Sequence, residues 1–213
     1  MGVERVRTPP YRIETERLVI RCYEPRDAPL LKEAIDTSLD HLQPWMPWAR
    51  FEPQTLEDKV ELLRRFRGEF DLDENYVYGV FDPAEARQLA GSGLHQRGGP
   101  GSLEVGYFVR ADALRRGIAT EVTAVLTRVA FELCDAARVD VQVDPENARS
   151  AGIPRKLGFR HEATLRGRLE PKDEGGGRRD SMLFTLLREE LASSSCLTYA
   201  YRAFDATGGE LRG

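Results

Sequence analysis

The chain has 213 residues and a formal net charge of −4, with 31 basic against 35 acidic side chains. That length makes one domain the default and leaves room for a sizeable core. The charge balance excludes a general nucleic-acid binder, and no apolar run approaches the roughly 18 residues that a membrane span needs. Residues 1–10 are charged and Pro-containing and lack the apolar core of a signal peptide. Cys22, Cys134 and Cys196 are widely separated and without CxxC spacing. They argue against a disulfide framework or zinc site and fit a reducing, cytoplasmic setting. His41, His95 and His161 show no metal-ligand spacing and read as scattered surface or loop residues, so no metal is expected.

Residues 17–22 alternate about an apolar centre and predict a first strand. Glu24-Pro25-Arg26-Asp27 supplies a turn and a helix start, and Leu30, Leu31, Ala34 and Ile35 give that helix a 3.6-residue face. Leu42-Gln43-Pro44-Trp45-Met46-Pro47-Trp48 is too Pro-rich for regular structure. Thr55, with Asp58 three residues on, caps a second helix whose buried stripe is Leu56, Val60, Leu63 and Phe66/Phe70. Residues 76–81, 88–94 and 103–109 read as three strands of an antiparallel meander. A long helix follows from about Gly117 to Cys134, with Cys134 a buried small residue. Residues 138–143 alternate as a strand, residues 148–157 hold a short helix weakened by Gly152 and Pro154, and strands over 159–165 and 181–187 complete the sheet. Residues 173–179, with three consecutive glycines, read as a flexible hairpin loop. Residues 197–204 alternate again beyond the apparent core and read as an added edge strand, pairing either across a homodimer or back onto the chain's own sheet. The order β-α-α-β-β-β-α-β-α-β-β is a mixed α/β sheet in one domain.

The segment from Phe108 to Thr120 is a strand, a basic glycine-containing turn and a helix start. It aims several backbone N–H groups and a helix dipole at one small volume, which suits a pyrophosphate. No GxxxxGK[ST] is present, and residues 114–119 lack GxGxxG, so neither a P-loop nor a dinucleotide-binding turn is indicated.

Arg116-Gly117-Ile118-Ala119-Thr120-Glu121, with Asn147-x-x-Ser150 and Lys156-Leu157-Gly158-Phe159, resembles the GNAT family of acyl-CoA-dependent N-acetyltransferases. Within it the chain is similar to the ribosomal-protein N-terminal acetyltransferase branch. Three further segments carry that likeness: Glu14-Thr15-Glu16-Arg17-Leu18-Val19-Ile20-Arg21, the Trp-Pro segment around Trp45 and Trp48, and Glu104-Val105-Gly106-Tyr107. The resemblance covers about residues 12–190, leaving 1–11 and 191–213 as extensions. It implies a mostly antiparallel sheet whose two central parallel strands, 103–109 and 138–143, splay to admit acetyl-CoA. The pantetheine arm is then expected along Phe108 and Val109. The pyrophosphate is expected on the N–H groups of Arg115, Arg116, Gly117, Ile118, Ala119 and Thr120. Leu114 stands where the family usually has a polar or aromatic residue, which removes one side-chain contact. Asn147 matches a pantetheine-binding asparagine and also fits a helix N-cap. Lys156 reads as a solvated helix residue.

The implied reaction is attack of an amine on a thioester, which needs a proton acceptor on the amine side and a proton source for the leaving thiolate. Glu104 is the candidate base; the competing reading is a strand residue paired with a neighbouring charge. Ser150 is the candidate donor, because Phe159 stands where many members place a tyrosine; the competing reading is a cap or a CoA contact. Trp45 and Trp48 are expected to wall the acceptor pocket. The acceptor is a protein N-terminal α-amino group or a small-molecule amine such as an antibiotic. A CoA-binding protein without catalysis is the alternative of another class. No nucleic acid or membrane partner is expected.

Overall fold

The computed structural model describes residues 7–172 and 175–211. Ten strands form one sheet: β1 (Arg12–Glu14), β2 (Val19–Cys22), β3 (Tyr76–Phe81), β4 (Gln88–His95), β5 (Ser102–Val109), β6 (Arg138–Val143), β7 (Arg160–Leu169), β8 (Arg179–Leu187), β9 (Arg202–Phe204) and β10 (Glu210–Leu211). Their spatial order is β10-β9-β1-β2-β3-β4-β5-β6-β8-β7. Among the described residues only β5 and β6 pair in parallel. The helices are α1 (Ala28–Asp36), the short α2 (Leu39–Leu42), α3 (Leu56–Asp71), α4 (Ile118–Glu132) and α5 (Ala148–Leu157).

The strand pleat divides the side chains between two faces. Ile20, Tyr78, Val80, Leu94, Leu103, Val105, Val139, Val141 and Phe184 point to one side. There they bury against Val122, Val125, Leu126 and Val129 of α4 and Ala151 and Leu157 of α5. Val19, Tyr23 and Phe81 point the other way and pack on Leu31 and Ile35 of α1 and Leu63 of α3. The sheet therefore lies between two helical layers. The α1/α3 layer sits over β2, β3 and β4. On β5, β6 and β8 that same face carries Ser102, Asp140 and Thr185, linked by hydrogen bonds instead of apolar packing, and Glu104, which bonds Gln142.

Local chemistry explains most boundaries. Thr55 Oγ1 accepts from Asp58 N and Asp58 Oδ2 accepts from Thr55 N, a reciprocal cap that starts α3. Leu56 is not part of the α3 stripe; it is 40% exposed. Its neighbour Lys59 is buried instead, because its ammonium pairs with buried Glu52 and so ties α3 to the Trp-containing segment. That segment is more regular than its prolines suggest, with α2 before it and a 3-10 turn at Pro47–Phe51 within it. Gly158, at φ 94, ends α5 in the left-handed region.

Strand β1 was not signalled by periodicity: three residues, two of them charged, are too few to show alternation. The tail departs from its expected strand. Residues Ser195–Thr198 form a 3-10 turn, and only Arg202–Phe204 is extended. That strand pairs antiparallel with β1 of the same chain. Of the loop expected over 173–179, residues 173 and 174 lie outside the described residues, as do 1–6 and 212–213.

Candidate active site

The site begins where the sheet splits. β5 pairs with β4 along its length, from His95↔Glu104 to Ala90↔Val109. It pairs with β6 only at Ser102↔Arg138, Leu103↔Val139 and Glu104↔Asp140. β6 meanwhile stays in register with β8 from Arg138 to Val143. Each strand is held by its outer neighbour, so past Glu104 the two diverge. The edge of β5 from Val105 to Val109 is left with no strand partner among the described residues. A cleft of about 820 Å³ occupies the split, and Trp45, Trp48, Glu104, Phe108, Asn147 and Ser150 all line it.

Glu104 points to the α1/α3 side. Its side chain is 11% exposed. Gln142 Nε2 donates to Oε2 at 2.8 Å, and Arg97 Nη1 lies 3.3 Å from Oε1. Both readings of this residue coexist in the geometry: it has a charged neighbour, and it faces the cleft. Trp48 packs edge-on against Phe108, with centroids 5.6 Å apart. Lys172, at the hairpin tip, sits 4.6 Å from the Trp45 ring centroid, and Arg50 pairs with Glu170 at 2.8 Å. The Trp segment and the β7–β8 hairpin thus meet and roof one side of the cleft.

Tyr107, three residues on from Glu104, points to the opposite face. Its hydroxyl lies 3.0 Å from Ser150 Oγ and donates to the Ser150 carbonyl at 3.3 Å. Pro154 makes this contact available. It has no N–H to give the carbonyl four residues back, which is that of Ser150. Burial pushes the Tyr107 phenol up to about 12, against a small opposing effect of the Ser150 hydrogen bond, so it stays protonated at neutral pH. Asn147 caps α5, with Oδ1 accepting from Ser150 N at 3.1 Å, and its side chain also borders the cleft. Lys156 is exposed on α5.

The basic turn lies beyond Val109, outside the cavity wall. Arg115 at φ 62 and Gly117 at φ 76 both take the left-handed conformation. Together they bring the chain round into α4 with Arg115, Arg116 and Gly117 exposed. No side chain caps the helix start, and its first intrahelical bond is Glu121 N to Gly117 O. The N–H groups of Ile118, Ala119 and Thr120 are the donors that any helix start leaves unpaired. The turn is braced from β2's approach. Arg17 Nη1 donates to the Arg116 carbonyl at 3.2 Å, while Arg17 Nε and Thr15 Oγ1 both donate to buried Glu121, at 2.8 and 2.6 Å. An unpartnered strand edge and a braced helix start suit an extended amide arm ending in a pyrophosphate.

A family model described as an acetyltransferase (GNAT) domain matches residues 17–160. The chain belongs to the GNAT acetyltransferase family. Members take their acetyl group from acetyl-CoA, so this GNAT chain is an acetyl-CoA-dependent N-acetyltransferase. It is 25% identical over 164 residues to the ribosomal protein uS5 alanine N-acetyltransferase of Escherichia coli, covering 74% of this chain and 82% of that one. It is 27% identical over 114 residues to YjcK of Bacillus subtilis, spanning 53% of this chain and 63% of that protein. Its fold matches the structure of Mycobacterium smegmatis RimJ in complex with CoA-disulfide, at TM-score 0.70, 23% identity and 92% coverage of both chains.

Three features of this GNAT site were missed in the sequence. His95 is no surface or loop histidine: it ends β4 and lines the cleft beside Glu104. The expected strand stopped at Leu94, one residue short of it, and its ring's direction depends on register. Tyr107 was read only as part of a strand motif; its i to i+43 contact with Ser150 is tertiary. Thr15 and Arg17 gave a family likeness without a role, and their partner is more than a hundred residues away.

Proposed function

We propose that this acetyltransferase modifies the α-amino group of a protein N-terminus, inserted end-on into the cleft from the α1/α3 face. The exposed apolar rim at Trp48 and Phe51 carries the choice of a protein acceptor, and the transfer chemistry rests on the division of labour across the split sheet. Glu104 faces one side and the Tyr107–Ser150 pair the other, so a proton acceptor and a proton donor stand on opposite sides of one gap. Acetyl-CoA, when bound, supplies an activated thioester. The residues suited to hold it are Asn147, the free edge at Phe108 and Val109, and the turn from Arg115 to Thr120. Glu104 receives the proton that the amine loses, directly or through water, and Gln142 keeps its carboxylate aimed at the cleft. Ser150 turns its hydroxyl hydrogen toward the departing sulfur, and Tyr107 donates to Ser150 from behind. Trp48 and Phe51, at 36% and 64% exposed, offer apolar surface at the rim for the residues that follow a protein's first one.

The roof made by Arg50–Glu170 and Lys172–Trp45 favours a second reading, in which the acceptor is a free-standing small amine. Turnover of acetyl-CoA with a panel of N-terminal peptides and small amines separates the two. On the first reading, kcat/KM rises at least tenfold as a peptide is lengthened from one residue to four. A preference for single amines over every peptide contradicts it.

A further inference from the structure

We propose that His95 is a second amine-binding residue of the acceptor site, presenting an unprotonated Nε2 beside the Glu104 carboxylate. The role rests on the acceptor-side reading given above.

A chain of one-way hydrogen bonds fixes the ring. Glu69 Oε2 can only accept, so Asn75 turns its amide nitrogen to it, at 3.1 Å. Asn75 Oδ1 therefore faces His95 Nδ1, at 2.6 Å, and an amide oxygen only accepts. Nδ1 must carry the hydrogen, and Nε2 is left with its lone pair. Arg65, 3.7 Å from Glu69, closes the far end of the chain.

The position of that lone pair follows from register. His95 and Glu104 are direct cross-strand partners, so their side chains leave the same face. The ring lies back over the next pair, Gly93 and Gly106. A Cβ on Gly93 would stand 2.7 Å from Nε2, and one on Gly106 3.5 Å from it. Two glycines are what give the ring a floor. The ring borders the cleft, and no protein group among the described residues bonds its Nε2. Burial, with Arg97's charge adding to it, lowers His95 to about 4, so the imidazole is neutral at neutral pH. A group this weakly basic is a poor proton abstractor and a good fixed acceptor. The hydrogen-bond chain and the strand register place Arg97, Arg65, Glu104 and Glu69 about it, and Glu52 and Lys59 line the same cleft. An amine entering the cleft meets a carboxylate and an imidazole lone pair side by side. Two acceptors orient its N–H bonds and leave its own lone pair aimed at the thioester. A neutral acceptor adds direction without a second negative charge, which would hold the amine protonated.

The test is steady-state kinetics on the full chain with the best acceptor amine, comparing wild type, His95→Phe and His95→Gln, together with ¹⁵N NMR of the His95 ring. Expected are an Nδ1–H tautomer in the wild type and roughly tenfold higher acceptor KM in His95→Phe with acetyl-CoA KM unchanged, as for loss of one hydrogen bond. His95→Gln, which keeps a side-chain acceptor, recovers at least half of that loss. An Nε2–H tautomer, an unchanged acceptor KM in His95→Phe, or an equal rise in KM for both substrates overturns the role. These outcomes leave the parent reading standing. A wild type that binds acetyl-CoA but acetylates no amine overturns the parent reading, and this role with it.

Discussion

Glu104 and Tyr107 sit three residues apart on one strand, and the pleat sends them to opposite faces of the sheet. On the proposed mechanism, that odd spacing lets β5 serve both ends of a proton transfer without either group crossing the gap. On the far face, the proposed mechanism puts Ser150 next to the sulfur and Tyr107 behind it. The two substitutions should therefore differ. Ser150→Ala is expected to lower kcat roughly a hundredfold, the scale of a positioned acid. Tyr107→Phe should lower it by about fivefold, the worth of one hydrogen bond. Thiol release at saturating substrates measures both. Equal losses would mean that Tyr107 itself reaches the sulfur.

At the scale of elements, the proposed acetyl-CoA site depends on a helix start that the chain braces from outside. Glu121 lies in the first turn of α4, 4% exposed, and Arg17 and Thr15 hold its carboxylate while Arg17 also takes the Arg116 carbonyl. Arg17→Ala removes the brace and leaves every proposed N–H donor in place. It should raise acetyl-CoA KM about fivefold with little change in kcat, consistent with loss of a charged hydrogen bond partly open to water. An unchanged KM would show that the turn holds its shape without Arg17. How far the elements could be read from the sequence follows from the same local-against-distant division. The caps at Thr55 and Asn147, the strand and turn signals of β3 to β6 and the glycine turn at Gly117 are written in neighbouring residues, and they come out close to where expected. What failed was decided at a distance. Lys59 is buried because Glu52 reaches it. β1 exists because β2 and β9 flank it. His95 is in the site because of its register with Glu104.

For the whole molecule, the central feature is a sheet that splits between its fifth and sixth strands, with each half anchored outward. Helices α4 and α5 cover one face across the split, and on the opposite face polar strand residues lie under the roof of the Trp segment and the β7–β8 hairpin. The proposed mechanism assigns donor and acceptor to different sides of one sheet, and the family match across residues 17–160 includes β5, α4, β6 and α5 that build the split. The direct measurement is a paired one on Glu104→Gln: acetyl-CoA affinity by calorimetry, and acetyl transfer to an N-terminal peptide by mass spectrometry with stoichiometric CoA release. Glu104 lies on the acceptor side, so the variant is expected to bind acetyl-CoA within about twofold of wild type and to transfer acetyl roughly a hundredfold more slowly. Full transfer activity in Glu104→Gln, or a loss of acetyl-CoA affinity that matches the loss of activity, would contradict the two-sided account.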